Sequence, residues 1–498
     1  MAQGPVSLID RFGVEIEVLL IFRESDLVSV LQQLGLTKAA IIKQPKPHQE
    51  VRYHLGVPSQ PPFQHIAQSR PSYRGWAFKR MPTDPASWYK KTAESVRSRE
   101  HNGKRTYWVE PLHLAEKVLK DRGLDVDVKV DPQDSSAYTS WRLVNDFTLI
   151  GLSPEQKRKR LKDLKLLNKR KAYHKWDTAG IELVSPPMAV DDASFAQIHK
   201  YLTALSGQNK TPRITDSKYA GLHVHIGFHQ ETKTQSLLHL VQHLAYILFQ
   251  HELVLAKCFP PHRNADNADP KRNPDDAAII SDTDTQSNRM AIKMQLQLYG
   301  QDDIPPKDVS DAIFTAVSID AVCDIMMHGS KTKGYRANFI PLAVATSTDP
   351  NNPKRTIEFR HHESTTDAKA IEQWVRLLVA ICKAAEDKAN SRVDVNNQPI
   401  IAAYSAATER SKYAVQTAAD VDNLQIQDFF AFLNLDAGLQ AYWQNRYNVQ
   451  HEAALQEVSN AFRAPFDVPK PRDWTRETRD LDPNDTNQLP TRTRSGLN

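Results

Sequence analysis

The sequence predicts an α+β fold, a mixed or mostly antiparallel sheet backed by helices, and three observations predict it. Six stretches alternate apolar and polar residues as half-buried strands do: residues 12–20, 141–149, 180–185, 221–228, 338–345 and 356–361. Segments with apolar residues at helical spacing separate them, the clearest at 26–34, 111–121, 192–205, 234–257 and 366–388. Strands and helices follow one another without the regular alternation that builds a parallel sheet.

Composition bounds the class. The chain of 498 residues carries 64 Lys and Arg against 59 Asp and Glu, a surplus of +5. That balance gives no electrostatic argument for a dedicated nucleic-acid binder, so nucleic acid is not an expected partner. Cys258, Cys323 and Cys382 are far apart and form no CxxC pair. This argues against a disulfide framework or a thiolate zinc site and for a reducing compartment. The first residues hold no apolar core of signal-peptide length, and no run of about 18 uncharged apolar residues occurs. No membrane partner is expected, and the cytoplasm is the expected location, with the nucleus as the alternative.

Three segments read as peripheral. Residues 45–85 are dense in Pro and turn formers, 260–308 in Asp, Asn and Pro, and 465–498 in Pro, Thr and charge. The middle one is either a lid or a surface insertion. Residues 156–175 carry ten Lys or Arg with leucines at helical spacing. They read as a solvated basic helix pinned by its leucines, with a nuclear address or nucleic-acid contact as the alternative.

Familiar catalytic signatures fail. Gly329 and Gly334 have the spacing of a phosphate-cradling loop, but Tyr335 and Arg336 stand where Lys and Ser or Thr are required. GxGxxG, GxSxG and HExxH are absent. His239 and His243, one turn apart in an apolar helix, read as core or rim residues.

What survives is a set of strands bearing chelating side chains. In the segment Phe12-Gly-Val-Glu15-Ile-Glu17-Val, side chains alternate across the strand. Glu15 and Glu17 therefore share one face while Val14, Ile16 and Val18 share the other. His223 and His225 repeat the logic in GLHVHIGF, and Glu358 and Arg360 repeat it in TIEFRH. Glu182 is a lone acid in an apolar strand that runs into a double proline, which suits a sheet edge or a strand terminus. Were these strands to share one sheet, four carboxylates would crowd together, and they stay ionised only if cations neutralise them. Carboxylate oxygens with one or two imidazoles suit Mg²⁺ or Mn²⁺ better than zinc. An arginine beside a metal-ligating acid supplies a phosphate clamp, so the set describes a nucleoside triphosphate site.

The segments FGVEIEV, WRLVNDFTL, GIELVSPPM, GLHVHIGF and TIEFRHHESTTD, in this order, resemble the amidoligases. These belong to the carboxylate-amine ligase superfamily of glutamine synthetase and glutamate-cysteine ligase. The resemblance covers about residues 10–387. It implies a largely antiparallel, glutamine synthetase-like catalytic sheet; with the compositional segments above, the expected layout is one domain over 1–464, with insertions near 45–110, 153–176 and 260–308 and a disordered tail from 465. It further implies an ATP-dependent ligase that joins a small-molecule or peptide carboxylate to an amine donor through an acyl phosphate, forming an amide or isopeptide bond.

By similarity, Glu15, Glu17, Glu182, His223 and Glu358 would hold Mg²⁺ or Mn²⁺, and His225 would reach the nucleotide phosphates. Arg360 would stabilise the transferred phosphoryl group, Arg336 would be a further phosphate contact, and Asp146 after Trp141 would line the substrate pocket. The base of the second step has no assigned residue; His362 and Glu363 are candidates by proximity alone. Phe147, Thr148 and Ser364 depart from the family's usual Gly and Ser, which bears on substrate fit rather than on metal binding. Two other readings stay open: a metal-dependent hydrolase using the same histidines and acids, and a catalytically inactive binding protein on the same fold.

Overall fold

A computed structural model of the protein describes residues 8–23, 25–26, 76–79, 96–101, 104–109, 112–129, 139–145, 149, 154–166, 176–206, 212–217, 220–229, 234–260, 263, 287–298, 304–328, 335–346, 355–390, 405–414 and 417–463. Its strands are β1 (Ile9–Arg23), β2 (Trp76–Lys79), β3 (Val96–His101), β4 (Lys104–Val109), β5 (Asp127–Lys129), β6 (Arg142–Asn145), β7 (Trp176–Val184), β8 (Arg213–Thr215), β9 (Gly221–Phe228), β10 (Ala337–Asn338) and β11 (Thr356–Glu363). Its helices are α1 (Leu112–Lys120), α2 (Pro154–Asp163), α3 (Asp192–Ser206), α4 (Thr234–Ala256), α5 (Asn288–Gln295), α6 (Pro306–Thr315), α7 (Ile319–Met327), α8 (Ile340–Thr346), α9 (Ala368–Asn390), α10 (Ala406–Arg410), α11 (Ala418–Asn423), α12 (Ile426–Phe432) and α13 (Ala437–Arg463). The chain forms two compact units, Met1–His451 and Glu452–Asn498. Of the second, the described part is the continuation of α13 to Arg463.

The fold is α+β, as the sequence predicts. An eight-stranded sheet runs β10-β11-β9-β1-β7-β6-β5, with β8 also paired to β1, and a smaller sheet runs β2-β4-β3. Every pair in the large sheet is antiparallel except β5 with β6. β1 explains the layering. Val14, Ile16, Val18, Leu20 and Phe22 are buried in the main core with residues of α3, α4 and α9. The alternate residues turn away: Leu19 meets Leu149 and Ala220, and Ile21 meets Leu161, Leu166 and Trp176. Helices thus cover one face, and the other is left for the acids and for α2.

Three expectations change and one holds. Residues 338–345 form only the end of β10 before α8 begins. Asn338 Oδ1 accepts the Ile340 N–H at 3.0 Å, a turn that leads into the helix rather than continuing the strand. Glu182 is not at a sheet edge, because β7 lies between β1 and β6, although the strand does end two residues later at Val184. The segment 260–308 is not wholly peripheral. Arg263 and Asn288 are buried, and Ala291 and Ile292 of α5 lie in the core. His243 is wholly buried, with Nε2 3.0 Å from Glu409 and Nδ1 2.8 Å from the Tyr413 hydroxyl, the structural role expected of it. Of helix 26–34, Asp26 alone is described; residues 45–75, 146–148 and 464–498, Asp146 included, lie outside the described residues.

Candidate metal centre

The register of the sheet places the predicted residues together. Glu15 pairs with His223 and Glu17 with Glu182, while His225 stands opposite Glu358. Residues directly opposite in neighbouring strands share a face. β11, β9, β1 and β7 thus deliver their acids and imidazoles to one side of the sheet, the side turned away from α3, α4 and α9.

Distances confirm the convergence. His225 Nε2 lies 3.0 Å from Glu15 Oε1. His223 Nδ1 lies 3.5 Å from both Glu15 Oε2 and Glu358 Oε1, and its Nε2 lies 3.4 Å from Glu17 Oε1. Two sets of three ligand atoms lie within 4.8 Å of one another: Glu15, His225 and Glu358, and Glu15, Glu182 and His223. Glu15 is common to both. Glu17 belongs to neither set, and its Oε2 accepts the Gly221 N–H at 2.6 Å. His225, expected at the phosphates, has its ligand atom in one of these sets, beside the expected ligands.

The charges are held ionised. Burial raises the Glu15 carboxyl, but the imidazoles of His225 and His223 outweigh it and hold the group well below the usual carboxylate range. Burial likewise raises Glu358, and the Arg360 guanidinium, with the imidazoles, overcomes it and brings the group to about 2. Arg360 is raised in turn: burial opposes its charge, and Glu358 and Glu17 favour it more strongly. Arg360 Nη1 donates to Glu358 at 2.5 Å and sits 3.3 Å from His223 Nδ1. Asn338 Nδ2 donates to the other Glu358 oxygen at 2.6 Å. A carboxylate gripped from both sides has its direction fixed before any ligand arrives.

Arg336, expected as a further phosphate contact, is engaged within the protein. It is buried, and its Nη1 donates to Glu252 at 2.9 Å. Glu252 also accepts the N–H groups of Asn288 at 3.0 Å and Arg289 at 2.8 Å, at the start of α5. The Asn288 amide in turn grips Ala337 through its N–H at 2.8 Å and its carbonyl at 2.9 Å. Glu252, Asn288 and Arg336 therefore anchor β10, the strand that carries Asn338 to Glu358. His362 and Glu363, the candidate bases, are likewise engaged within the protein. His362 is buried against Phe259 and Trp374, and Glu363 is ion-paired with Arg446.

Sequence reasoning missed Arg263 and Asn338. Arg263 Nη2 donates to the Arg360 carbonyl at 2.6 Å, pinning β11 where its register slips between Phe359 and His362. Gly221 makes room for this. A methyl there would stand 2.9 Å from Arg263 Nη2 and 2.9 Å from His223 Nε2. Ser364, read as a departure from the family pattern, has work to do here: its hydroxyl donates to the Glu17 carbonyl at 2.5 Å and its N–H to Ala220 at 3.0 Å. A glycine would keep only the second bond.

No curated protein and no solved structure matches the chain. A family model described as "Putative amidoligase enzyme" matches residues 9–267, slightly more than half of the sequence. That span contains β1, β7 and β9, hence Glu15, Glu17, Glu182, His223 and His225, together with Arg263. With the match running through those acid- and imidazole-bearing strands, the protein belongs to the amidoligase family, a family of ligase-type enzymes.

Proposed function

We propose that the protein is an ATP-dependent carboxylate-amine ligase of the glutamine synthetase-like superfamily, acting with Mg²⁺ or Mn²⁺ through an acyl phosphate. The observation that carries this reading is the meeting of Glu15, Glu182, His223, His225 and Glu358 on one sheet face with Arg360 already locked onto Glu358. The donor set fits hard divalent cations. It offers carboxylates and imidazoles without a thiolate, and Glu15 and Glu358 are held ionised.

The residues that would hold the cations are Glu15, Glu182, His223, His225 and Glu358. Bound there, the cations would screen the carboxylates and polarise phosphoryl oxygens. The chain's own groups do the rest. Arg360 presents a guanidinium whose orientation is fixed by Glu358, and it neutralises charge on the phosphoryl group as a substrate carboxylate attacks it. Asn338 keeps Glu358 from swinging toward the arginine alone. Glu17 holds the start of β9 through the Gly221 N–H and faces His223 Nε2, which favours the tautomer with Nδ1 unprotonated. The amine then displaces phosphate from the acyl group, leaving an amide.

The test is phosphate release from ATP with Mg²⁺, screened over amino acids, polyamines and peptides. The ligase predicts release that needs both a carboxylate and an amine. A hydrolase would ignore nucleotide and work with zinc or manganese alone.

A further inference from the structure

The face that carries the acids does not end at Glu17. Along β1 the same side continues through Leu19 to Ile21, about 13 Å beyond Glu17 at ~3.3 Å per residue. There α2 is seated. Leu161 and Leu166 pack on Ile21 and Trp176. Lys157 Nζ donates to the Trp176 carbonyl at 2.8 Å, and Arg160 Nη2 donates to the Asp216 carbonyl at 3.0 Å. The basic helix is therefore fastened to the sheet by its leucines, as the sequence predicts, and by two of its cations.

The cations left over are clustered within eight residues. Arg158, Lys159, Lys162 and Lys165 are exposed, and none makes an ion pair among the described residues. Several exposed cations on other helices are matched within one turn: Lys117 with Asp121, Lys120 with Glu116, Lys307 with Asp311, and Lys369 with Glu372, whereas Lys200 and Lys383 stand singly. Unmatched like charges on one short helix repel one another and weaken it. An anionic partner lying along the helix would remove that repulsion.

We propose that the exposed basic face of α2 docks an acidic polypeptide segment and holds it beside the metal centre. The carboxylate substrate is then a side chain or terminus of a peptide. This rests on the ligase reading, which requires a carboxylate and so favours an acidic peptide over nucleic acid, whose phosphates offer none. Charge complementarity supplies the attraction, and the shared sheet face supplies the direction.

The experiment measures fluorescence anisotropy of a labelled glutamate-rich peptide with the full chain, against its glutamine counterpart, a single-stranded oligonucleotide and anionic lipid vesicles. The variant carries Arg158→Gln, Lys159→Gln, Lys162→Gln and Lys165→Asn, the last because Lys165 has a φ of 55° that asparagine tolerates. A second variant, Lys159→Glu with Lys162→Glu, tests the charge with two changes. The expected result is binding of the glutamate peptide alone, weakened by salt and lost about tenfold or more in both variants. Failure of the wild type to bind it, equal affinity in the variants, or tighter binding of oligonucleotide or vesicle overturns the proposal.

A melting-temperature shift with Mg²⁺ and a nonhydrolysable ATP analogue, measured on the same samples, separates the two readings. A shift without peptide binding rejects the docking surface and spares the ligase. Peptide binding of the expected kind without a shift keeps an acidic-peptide surface and rejects its role in ligation.

Discussion

Two pairs of histidines lie on neighbouring strands and meet opposite fates. His223 and His225 on β9 are two residues apart, so both point to the face turned away from α3, α4 and α9, and both meet glutamates within 3.5 Å. His361 and His362 on β11 are consecutive and follow a slip in register, and both rings lie against Phe259 and Trp374 in the helical layer. Burial lowers both of these, and Arg336 and Arg263 lower His361 further. His362 is brought to about 4 although Glu363 pulls the other way. Both are therefore neutral packing groups near neutral pH. Neither residue type nor strand decides which histidines can bind a cation. The side of the sheet, and the charges waiting there, decide it.

The largest effect should come from the acid facing the first pair. Glu358→Gln keeps the side chain's size but removes the charge that orients Arg360. ATP-dependent phosphate release should drop by about 10²–10³ while the circular dichroism spectrum is unchanged. Activity within a few-fold of wild type would deny Glu358 its role.

The histidines themselves come next. His225→Phe should weaken Mn²⁺ binding by roughly 10- to 100-fold in a calorimetric titration, whereas His362→Phe should leave it unaltered. Equal losses in the two variants would erase the distinction between the pairs.

The glycines of β9 sharpen it further. Gly221→Ala drives a methyl into Arg263 and His223 at 2.9 Å, whereas at Gly227 the nearest atom, the Arg11 carbonyl oxygen, is 3.4 Å away. The first should cost about 1–3 kcal/mol in denaturant unfolding and weaken Mn²⁺ binding as well. The second should cost less and spare the cation.

The last effect concerns pH. His362 has a folded-state pKa near 4, below the ordinary value of 6.5. The unfolded chain therefore takes up this proton first as pH falls. The group's contribution is fully present above about 6.5 and is lost toward 4, with a slope of at most about 1.4 kcal/mol per pH unit. His362→Phe should flatten the fall in melting temperature over that window, and an unchanged profile would show that His362 takes up its proton in the folded state too.

Much of this was legible in the sequence, and the reason is periodicity. An alternating strand carries its chemistry on one side, so Glu15 with Glu17 and His223 with His225 could be read as pairs sharing a face. The apolar residues between them fixed which face was buried. The order of the strands in the sheet was not readable, and with it went the place of Glu182, which is interior. Asn338 was misplaced because a short strand and a helix start share apolar neighbours, and only its bonds to Ile340 and Glu358 tell them apart. Arg263 and Arg336 were obscured for another reason. A buried arginine is tolerable only through distant partners, here the Arg360 carbonyl and Glu252, and composition does not reveal such partners.

The most direct test of the central claim is anomalous diffraction from a crystal of the protein soaked in Mn²⁺. The account predicts two peaks close together, one bounded by Glu15, His225 and Glu358 and the other by Glu15, Glu182 and His223. Well-ordered side chains at those positions with no peak between them, at Mn²⁺ concentrations that saturate activity, would contradict it.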